Sequence, residues 1–281
     1  MRYTVERTSG AVLTVRSKIA PDWNQRLLGL SDIHLDSHHC DRKLLKAQLD
    51  DALADDAGIF IVGDLLDVMQ GRSDKRGSKG DLMPRHRGDN YIDLVLDDAF
   101  EFLLPYAANI LFISDGNHET SVRKWTETDL IARLCKALGV QKMGYAGFTR
   151  FLFEHECGGT RSSKMMYFHH GSGGGGEVTL GTPRSQREAG SVTADIYIGG
   201  HTHTSWLVER SRVRVTDSGR VMQDTTTHIS IPGFKNEYDL ENPGFHIEKG
   251  RSPRPMGGFW LEFFWNRRYH GNVAFRAYKA V

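Results

Sequence analysis

Carboxylate, imidazole and amide side chains recur in five short motifs between Asp32 and His203. Their oxygen and nitrogen atoms are of the kinds that bind divalent metal ions. In chain order the motifs are Asp32-Ile33-His34, Gly63-Asp64-Leu65-Leu66-Asp67, Gly116-Asn117-His118-Glu119, His169-His170-Gly171 and Gly200-His201-Thr202-His203. One Asp-x-His motif is common, but all five in this order are hard to obtain by chance. The pattern indicates a site for two metal ions held side by side.

The elements that precede the motifs are expected to bring them together. A short apolar segment, typical of a buried strand, ends just before each motif. These segments are Leu28–Leu30, Ile59–Val62, Ile110–Ile113, Met165–Phe168 and Ile196–Ile198. Open α/β sheets bind ligands at the carboxyl ends of their strands. The five motifs are therefore predicted to converge at such an edge.

Helical patterns lie between these strands, and strands alternating with helices imply an α/β fold. The predicted helices are Leu44 to Leu53, Ile92 to Leu104 and Thr126 to Leu138. Asp41 is the expected N-cap of the first and Gly58 its C-terminal stop. Thr126 and Asp129 have the spacing of a capping box for the third. After His203 the pattern becomes β-like, over Ser205–Val215, Val221–Ile231 and Phe259–Trp265.

In its five motifs the chain resembles the calcineurin-like metallophosphoesterases, whose signature D-x-H, G-D-x-x-D, G-N-H-D/E, H-G and G-H-x-H it matches motif for motif. The resemblance extends from about Leu28 to Thr204. It implies a four-layer α/β/β/α sandwich with two mixed β-sheets. We expect residues 1–281 to form a single domain, with a basic insertion at 71–90 and a strand- and loop-rich C-terminal part from residue 205.

The resemblance also implies a set of metal ligands. One ion takes Asp32, His34, Asp64 and His203, and the other takes Asp64, Asn117, His170 and His201. Asp64 is the natural bridge, because each oxygen of one carboxylate can hold one ion. Asp32 and His34 are two residues apart, so on an extended segment both point to the same side. His169 stays open as an alternative to His170, although the His-Gly pairing of the family favours His170.

The mechanism implied by the family is attack of a metal-bound hydroxide on the phosphoryl group. His118, beside the predicted ligand Asn117, is the expected general acid for the leaving oxygen. Asp67 resembles the family carboxylate that orients this histidine, although it could instead be a polar residue that closes a turn. The expected cofactors are two divalent metal ions. Oxygen and nitrogen ligands without cysteine suit manganese, iron, zinc, cobalt or nickel.

These residues predict a hydrolase of phosphate esters, with a phosphodiesterase preferred to a nuclease or a phosphomonoesterase. A catalytically silent scaffold of the same fold is disfavoured because His118 and every type of ligand are present. A phosphoprotein phosphatase is disfavoured as well. That branch has arginines where Val68 follows Asp67 and Asp115 precedes Gly116.

The overall composition gives some information about binding partners and cellular location. A formal net charge of +1 argues for neither nucleic acid nor membrane. The charged N-terminus lacks the apolar core of a signal peptide, and three cysteines show no zinc-type spacing, so a cytoplasmic location is expected.

The roles of some basic residues stay open. Residues 71–90 carry six positive and three negative side chains, and form either a solvated insertion or a flap for a polyanionic substrate such as nucleic acid. Arg184, Arg187 and Lys235 are weaker candidates for contact with the substrate.

Overall fold

The computed structural model describes residues 3–69, 82–158, 161–174, 176–216, 218–240, 247 and 250–280, and of His270 only the backbone. The predicted basic insertion is thus described only from residue 82. Its basic residues Arg72, Lys75, Arg76 and Lys79 lie outside the described residues.

Two mixed β-sheets form the centre of the protein. The strands of the first sheet are β1 (Tyr3–Ser9), β2 (Val12–Ile19), β7 (Ala146–His155), β8 (Arg161–His169), β9 (Ile196–Gly199), β10 (Trp206–Val215) and β11 (Val221–Ser230). Their spatial order is β1-β2-β7-β8-β9-β11-β10. The pairs β2–β7, β8–β9 and β9–β11 are parallel, and the other pairs are antiparallel.

The second sheet combines a parallel half with an antiparallel half. Its strands are β3 (Asn24–Leu30), β4 (Gly58–Val62), β5 (Ile110–Ser114), β6 (Gln141–Met143), β12 (Phe259–Trp265) and β13 (Val273–Lys279). They are ordered β13-β12-β3-β4-β5-β6, and β3 to β6 are parallel. The C-terminal strand β12 pairs antiparallel with β3, so the second sheet draws strands from both ends of the chain.

Helices cover the outer faces of the two sheets. They are α1 (Arg42–Ala54), α2 (Tyr91–Leu103), α3 (Asn117–Thr126), α4 (Leu130–Leu138) and α5 (Thr182–Ser191). The apolar faces of α1, α2 and α4 pack on the second sheet in one buried core. A second core, rich in phenylalanine, fills the space between the sheets. Helix α5 lies on the far side of the first sheet, where Ser185 Oγ is 2.6 Å from His228 Nδ1 of β11. The predicted α/β fold class with two mixed sheets is confirmed.

Two predicted helix boundaries are wrong. Asp41 does cap α1, by accepting a 2.9 Å hydrogen bond from Leu44 N, but the helix ends at Ala54 and Gly58 begins β4 instead. Gly58 is required by packing, because a Cβ there would come within 2.7 Å of the Leu27 side chain. The predicted capping box fails because Thr126 is the last residue of α3, and Asp129 alone caps α4.

No helix in the described ranges is both long and apolar enough to span a lipid bilayer.

Candidate metal centre

The five motifs follow the ends of five strands, as predicted. The first three motifs leave β3, β4 and β5 of the second sheet, and the other two leave β8 and β9 of the first. All five strands belong to parallel pairs within their own sheets, so their carboxyl ends lie at the same edge of each sheet. The site therefore forms where the ligand-binding edges of the two sheets meet.

Five of the seven predicted ligands have a left-handed backbone conformation. The φ angles are 50° at Asp32, 50° at His34, 47° at Asp64, 71° at His201 and 51° at His203. Residues other than glycine seldom adopt this conformation, and it concentrates at functional sites. The extended segment expected for Asp32 and His34 is wrong, because the strand ends at Leu30 and both residues lie in a loop. Left-handed turns, rather than strand alternation, bring the two side chains together.

The predicted ligands form two adjoining clusters. In the Asp32 cluster, ligand atoms of Asp32, His34 and His203 all lie within 4.8 Å of one another. In the His170 cluster the same holds for Asp64, His170 and His201. An atom of Asp64 also lies within 4.8 Å of His34, which belongs to the Asp32 cluster. Asp64 is thus placed where a bridging carboxylate would have to be.

Asn117 adjoins the His170 cluster. Oδ1 of Asn117 is 3.1 Å from Nε2 of His170, and the same nitrogen is 3.1 Å from Oδ2 of Asp64. The other ring nitrogen, Nδ1 of His170, donates a 2.9 Å hydrogen bond to the carbonyl of Val62. His169 lies outside the cluster, with Nδ1 3.7 Å from Glu188. The geometry therefore places His170, rather than His169, among the candidate ligands.

Two buried ligand atoms that make no hydrogen bond with the described residues fit a bound cation. Asp32 Oδ1 and His34 Nε2 make no hydrogen bond with any described residue, although both side chains are almost fully buried. Buried polar atoms nearly always have partners, so such atoms in one cluster require an explanation. A divalent ion between them would satisfy both, and imidazole, carboxylate and amide ligands suit transition metals.

The charges in the clusters oppose one another strongly. Burial disfavours the charged form of His170, but Asp64 and Asp32 outweigh it and raise the pKa of this imidazole to about 10. Burial also opposes ionisation of Asp64, yet His170 and His118 hold the pKa of its carboxyl well below the usual range. At His203 burial prevails over Asp32 and lowers the pKa to about 4. A cation would have to displace the proton that His170 holds against Asp64.

His118 is held by the backbone of the second motif. Its Nδ1 donates a 2.6 Å hydrogen bond to the carbonyl oxygen of Asp67, whereas the Asp67 carboxylate is 3.6 Å away. That carboxylate instead lies 3.0 Å from His34 Nδ1 and 3.2 Å from Lys235 Nζ. Asp67 therefore orients His118 through its main chain, and its side chain supports His34. The backbone N–H of His118 also donates to Asp64, at 3.0 Å.

Two buried carboxylates that position these loops were not singled out from the sequence. Glu119 accepts hydrogen bonds of 2.9 Å from both Leu66 N and Gly116 N, and so ties the second motif to the third. Burial and the charge of Asp64 raise the pKa of Glu119 to about 7. Asp36 accepts from Asp67 N at 2.6 Å and from Val68 N at 2.9 Å. The signal available for Glu119 was its place in Gly-Asn-His-Glu. An isolated Asp36 gave none.

Replacing Glu119 with alanine should lower the free energy of unfolding by about 2–4 kcal/mol, because two buried N–H groups lose their acceptor. Glu119→Gln keeps one acceptor oxygen and should cost about half as much. Urea unfolding followed by circular dichroism measures both. Glu101→Ala, at an exposed position of α2, is the control and should change stability by less than about 0.5 kcal/mol. A loss in Glu119→Ala no larger than in this control would contradict the assigned role.

The basic residues that are candidates for contact with the substrate differ in their surroundings. Lys235 is nearly buried and paired with both Asp67 and Glu237, the latter at 3.1 Å. Within the described part of the basic segment, Arg85 is paired with Asp98 of α2 at 2.9 Å. Arg187 is exposed on α5, whereas the Arg184 side chain is only 14% exposed.

Comparisons with known proteins show likeness only at the level of solved structures. No protein-family profile matches the sequence, and no curated protein matches it. A Streptococcus pneumoniae protein described as a predicted phosphoesterase is 12% identical, with a TM-score of 0.34, over 91% of this chain and 99% of the other. A metallophosphoesterase from Sphaerobacter thermophilus is 14% identical, with a TM-score of 0.36, over 91% and 88% of the two chains.

A third similar structure is GAP50, described as the anchor in the inner membrane complex of Plasmodium. It is 11% identical, with a TM-score of 0.44, over 91% of this chain and 84% of the other. Likeness of this degree carries no conclusion about activity. The resemblance to the calcineurin-like group rests on the five motifs. The two-sheet α/β fold agrees with what those motifs predicted.

Proposed function

We propose that this chain is a metal-dependent phosphoesterase of the calcineurin-like group, with a binuclear centre and a preference for phosphodiesters. The single observation that carries the proposal is the position of Asp64. Its carboxylate is buried, contacts His170 of one cluster at 3.1 Å and lies within 4.8 Å of His34 of the other. One carboxylate between two such clusters is the arrangement that paired metal ions require.

The residues that would hold the ions divide between the clusters. One ion would be held by Asp32, His34, Asp64 and His203, and the other by Asp64, Asn117, His170 and His201. When bound, two divalent ions would supply a water nucleophile at neutral pH and draw charge from the phosphoryl oxygens. Manganese, iron, zinc, cobalt and nickel all suit these ligands.

The protein's own contribution to leaving-group departure is His118. Since Nδ1 donates to the carbonyl of Asp67, this nitrogen carries a proton and Nε2 is the atom free to transfer one. Nε2 of His118 lies 3.8 Å from Asp64 Oδ2, at the edge of the cluster where a substrate would bind. A protonated Nε2 can therefore donate to the oxygen that leaves phosphorus, while Nδ1 keeps the ring in place.

The preference for diesters is supported by charge. A monoester brings two negative charges at neutral pH and a diester brings one. Lys235, the ammonium group nearest Asp67, is already neutralised by Asp67 and Glu237. Lys235 therefore contributes little positive charge toward the second charge of a monoester. A nuclease is the second candidate, supported by the excess of basic residues between positions 71 and 90.

The test is a panel of substrates with metal-reconstituted protein. We expect turnover of small aryl diesters above that of the matching monoesters, full loss of turnover after chelation, and recovery when metal is returned. Single- and double-stranded nucleic acid in the same panel decides the nuclease alternative. Turnover by chelated protein would refute the metal mechanism. Metal binding without turnover of any ester would favour a silent scaffold.

A further inference from the structure

Arg184 lies beside the His170 cluster and is not used by the mechanism above. It belongs to the first turn of α5, and its side chain is only 14% exposed. Its guanidinium packs against the backbone of Gly171 and Gly199, where the Cβ of any larger residue would collide with it. These two glycines thus make room for a guanidinium at this position.

The same glycines lie next to predicted metal ligands. Gly171 directly follows His170, and Gly199 is separated from His201 by one residue. A Cβ on Gly171 would collide with both Nη1 of Arg184 and the Cβ of His201, so the two side chains flank one point. The carbonyl of Gly171 is fixed by a 2.6 Å hydrogen bond from the Tyr145 hydroxyl. The guanidinium is therefore built into the wall of the centre.

Two nitrogens of this guanidinium lack hydrogen bonds. Nε and Nη1 are buried and have no hydrogen-bond acceptor among the residues that the structure describes. The nearest carboxylate, on Glu188, is 3.6 Å from Nε, beyond hydrogen-bonding distance. Burying charged donors without acceptors is costly, and native proteins seldom leave them so. An anionic ligand would supply the missing acceptors.

We propose that Arg184 binds a non-bridging phosphoryl oxygen of the substrate on the His170 side of the centre. The inference rests on the proposed function, because it takes the phosphoryl group to lie between the two clusters. A guanidinium suits this contact, since it is always charged and its N–H groups form charge-assisted hydrogen bonds with phosphoryl oxygens. Lys235 is already neutralised and cannot take this role in the same way.

The test uses metal-reconstituted protein with Arg184→Gln and Arg184→Lys, and Arg187→Gln, an exposed neighbour on the same helix, as the control. Calorimetric titration with inorganic phosphate should show about 10- to 100-fold weaker binding in Arg184→Gln, because charge-assisted hydrogen bonds are lost. Arg184→Lys should be intermediate, since an ammonium keeps the positive charge but not the planar set of donors of the guanidinium. Metal content should stay unchanged in all three variants. In Arg184→Gln, KM for a diester should rise more than kcat falls.

Several results would overturn this role. They are unchanged phosphate affinity in Arg184→Gln with the metals in place, equal effects in Arg187→Gln, and no phosphate binding by the wild type. If Arg184→Gln fails to fold, Arg184→Lys decides, and wild-type phosphate affinity in it would contradict the guanidinium contact. Phosphate binding that depends on Arg184 in a protein without esterase activity would sustain the contact and refute the proposed function. Normal diester turnover with no dependence on Arg184 would sustain the proposed function and refute the contact.

Discussion

Replacing Asp64 with asparagine is expected to empty both metal positions and abolish ester hydrolysis. The Asp64 carboxylate contacts His170 at 3.1 Å and lies within 4.8 Å of His34, so it serves both clusters. An amide has one oxygen for ligation and no charge, and it cannot hold two cations in place of a carboxylate. Loss of an outer partner alone weakens metal binding about 10–100-fold, and loss of the bridge should exceed this.

Elemental analysis after reconstitution and dialysis measures the effect directly. Asp51→Asn, an exposed change on α1, is the matched control and should retain the metal content of the wild type. Equal metal content in Asp64→Asn and in the control would refute the bridging role. Asp64 also accepts the backbone N–H of His118, so circular dichroism should first establish that the variant is folded.

Replacing His118 with alanine should leave both metal ions bound but lower kcat by about 10²–10⁴ on esters with poor leaving groups. The reason is that an alkoxide needs a proton as it departs, and Nε2 of His118 is its proposed donor. A nitrophenolate departs with little protonation, so the loss on nitrophenyl esters should be far smaller. Steady-state kinetics over a series of leaving groups measures the contrast. An equal loss on all leaving groups would contradict the general-acid role.

Asp67→Asn is the control for His118→Ala. Asp67 holds His118 through its carbonyl oxygen, at 2.6 Å, and an asparagine keeps that carbonyl. The variant should therefore retain the wild-type dependence on the leaving group. Its defect should instead concern His34 and Lys235, which contact the carboxylate, and should show as weaker metal binding.

The positions of the motifs could be predicted from the sequence because strand ends carry a strong signal. Each motif follows an apolar run, such as Ile59–Val62 before Asp64, and the structure ends a strand at each of these runs. The predicted helix over Thr126 to Leu138 was partly wrong because α3 and α4 are nearly continuous in sequence. A left-handed residue, Glu127, separates them.

The finer geometry of the site could not be predicted in the same way. Residue type alone did not single out the left-handed backbone at Asp32, His34 and Asp64, since aspartate and histidine are enriched in this conformation but adopt others far more often. The contact of His118 with Asp67 was assigned to a carboxylate because sequence motifs record side chains, and a backbone carbonyl leaves no trace in them. Asp36 likewise accepts from the backbone N–H groups of Asp67 and Val68, which leave no trace in a sequence motif.

Anomalous X-ray scattering from crystals grown with manganese tests most directly whether Asp64 lies between two metal ions. We expect two anomalous peaks about 3.5–4 Å apart, one on each side of the Asp64 carboxylate. One peak should lie beside Asp32, His34 and His203, and the other beside Asn117, His170 and His201. A single peak away from Asp64, or none among these side chains at saturating manganese, would contradict the binuclear centre.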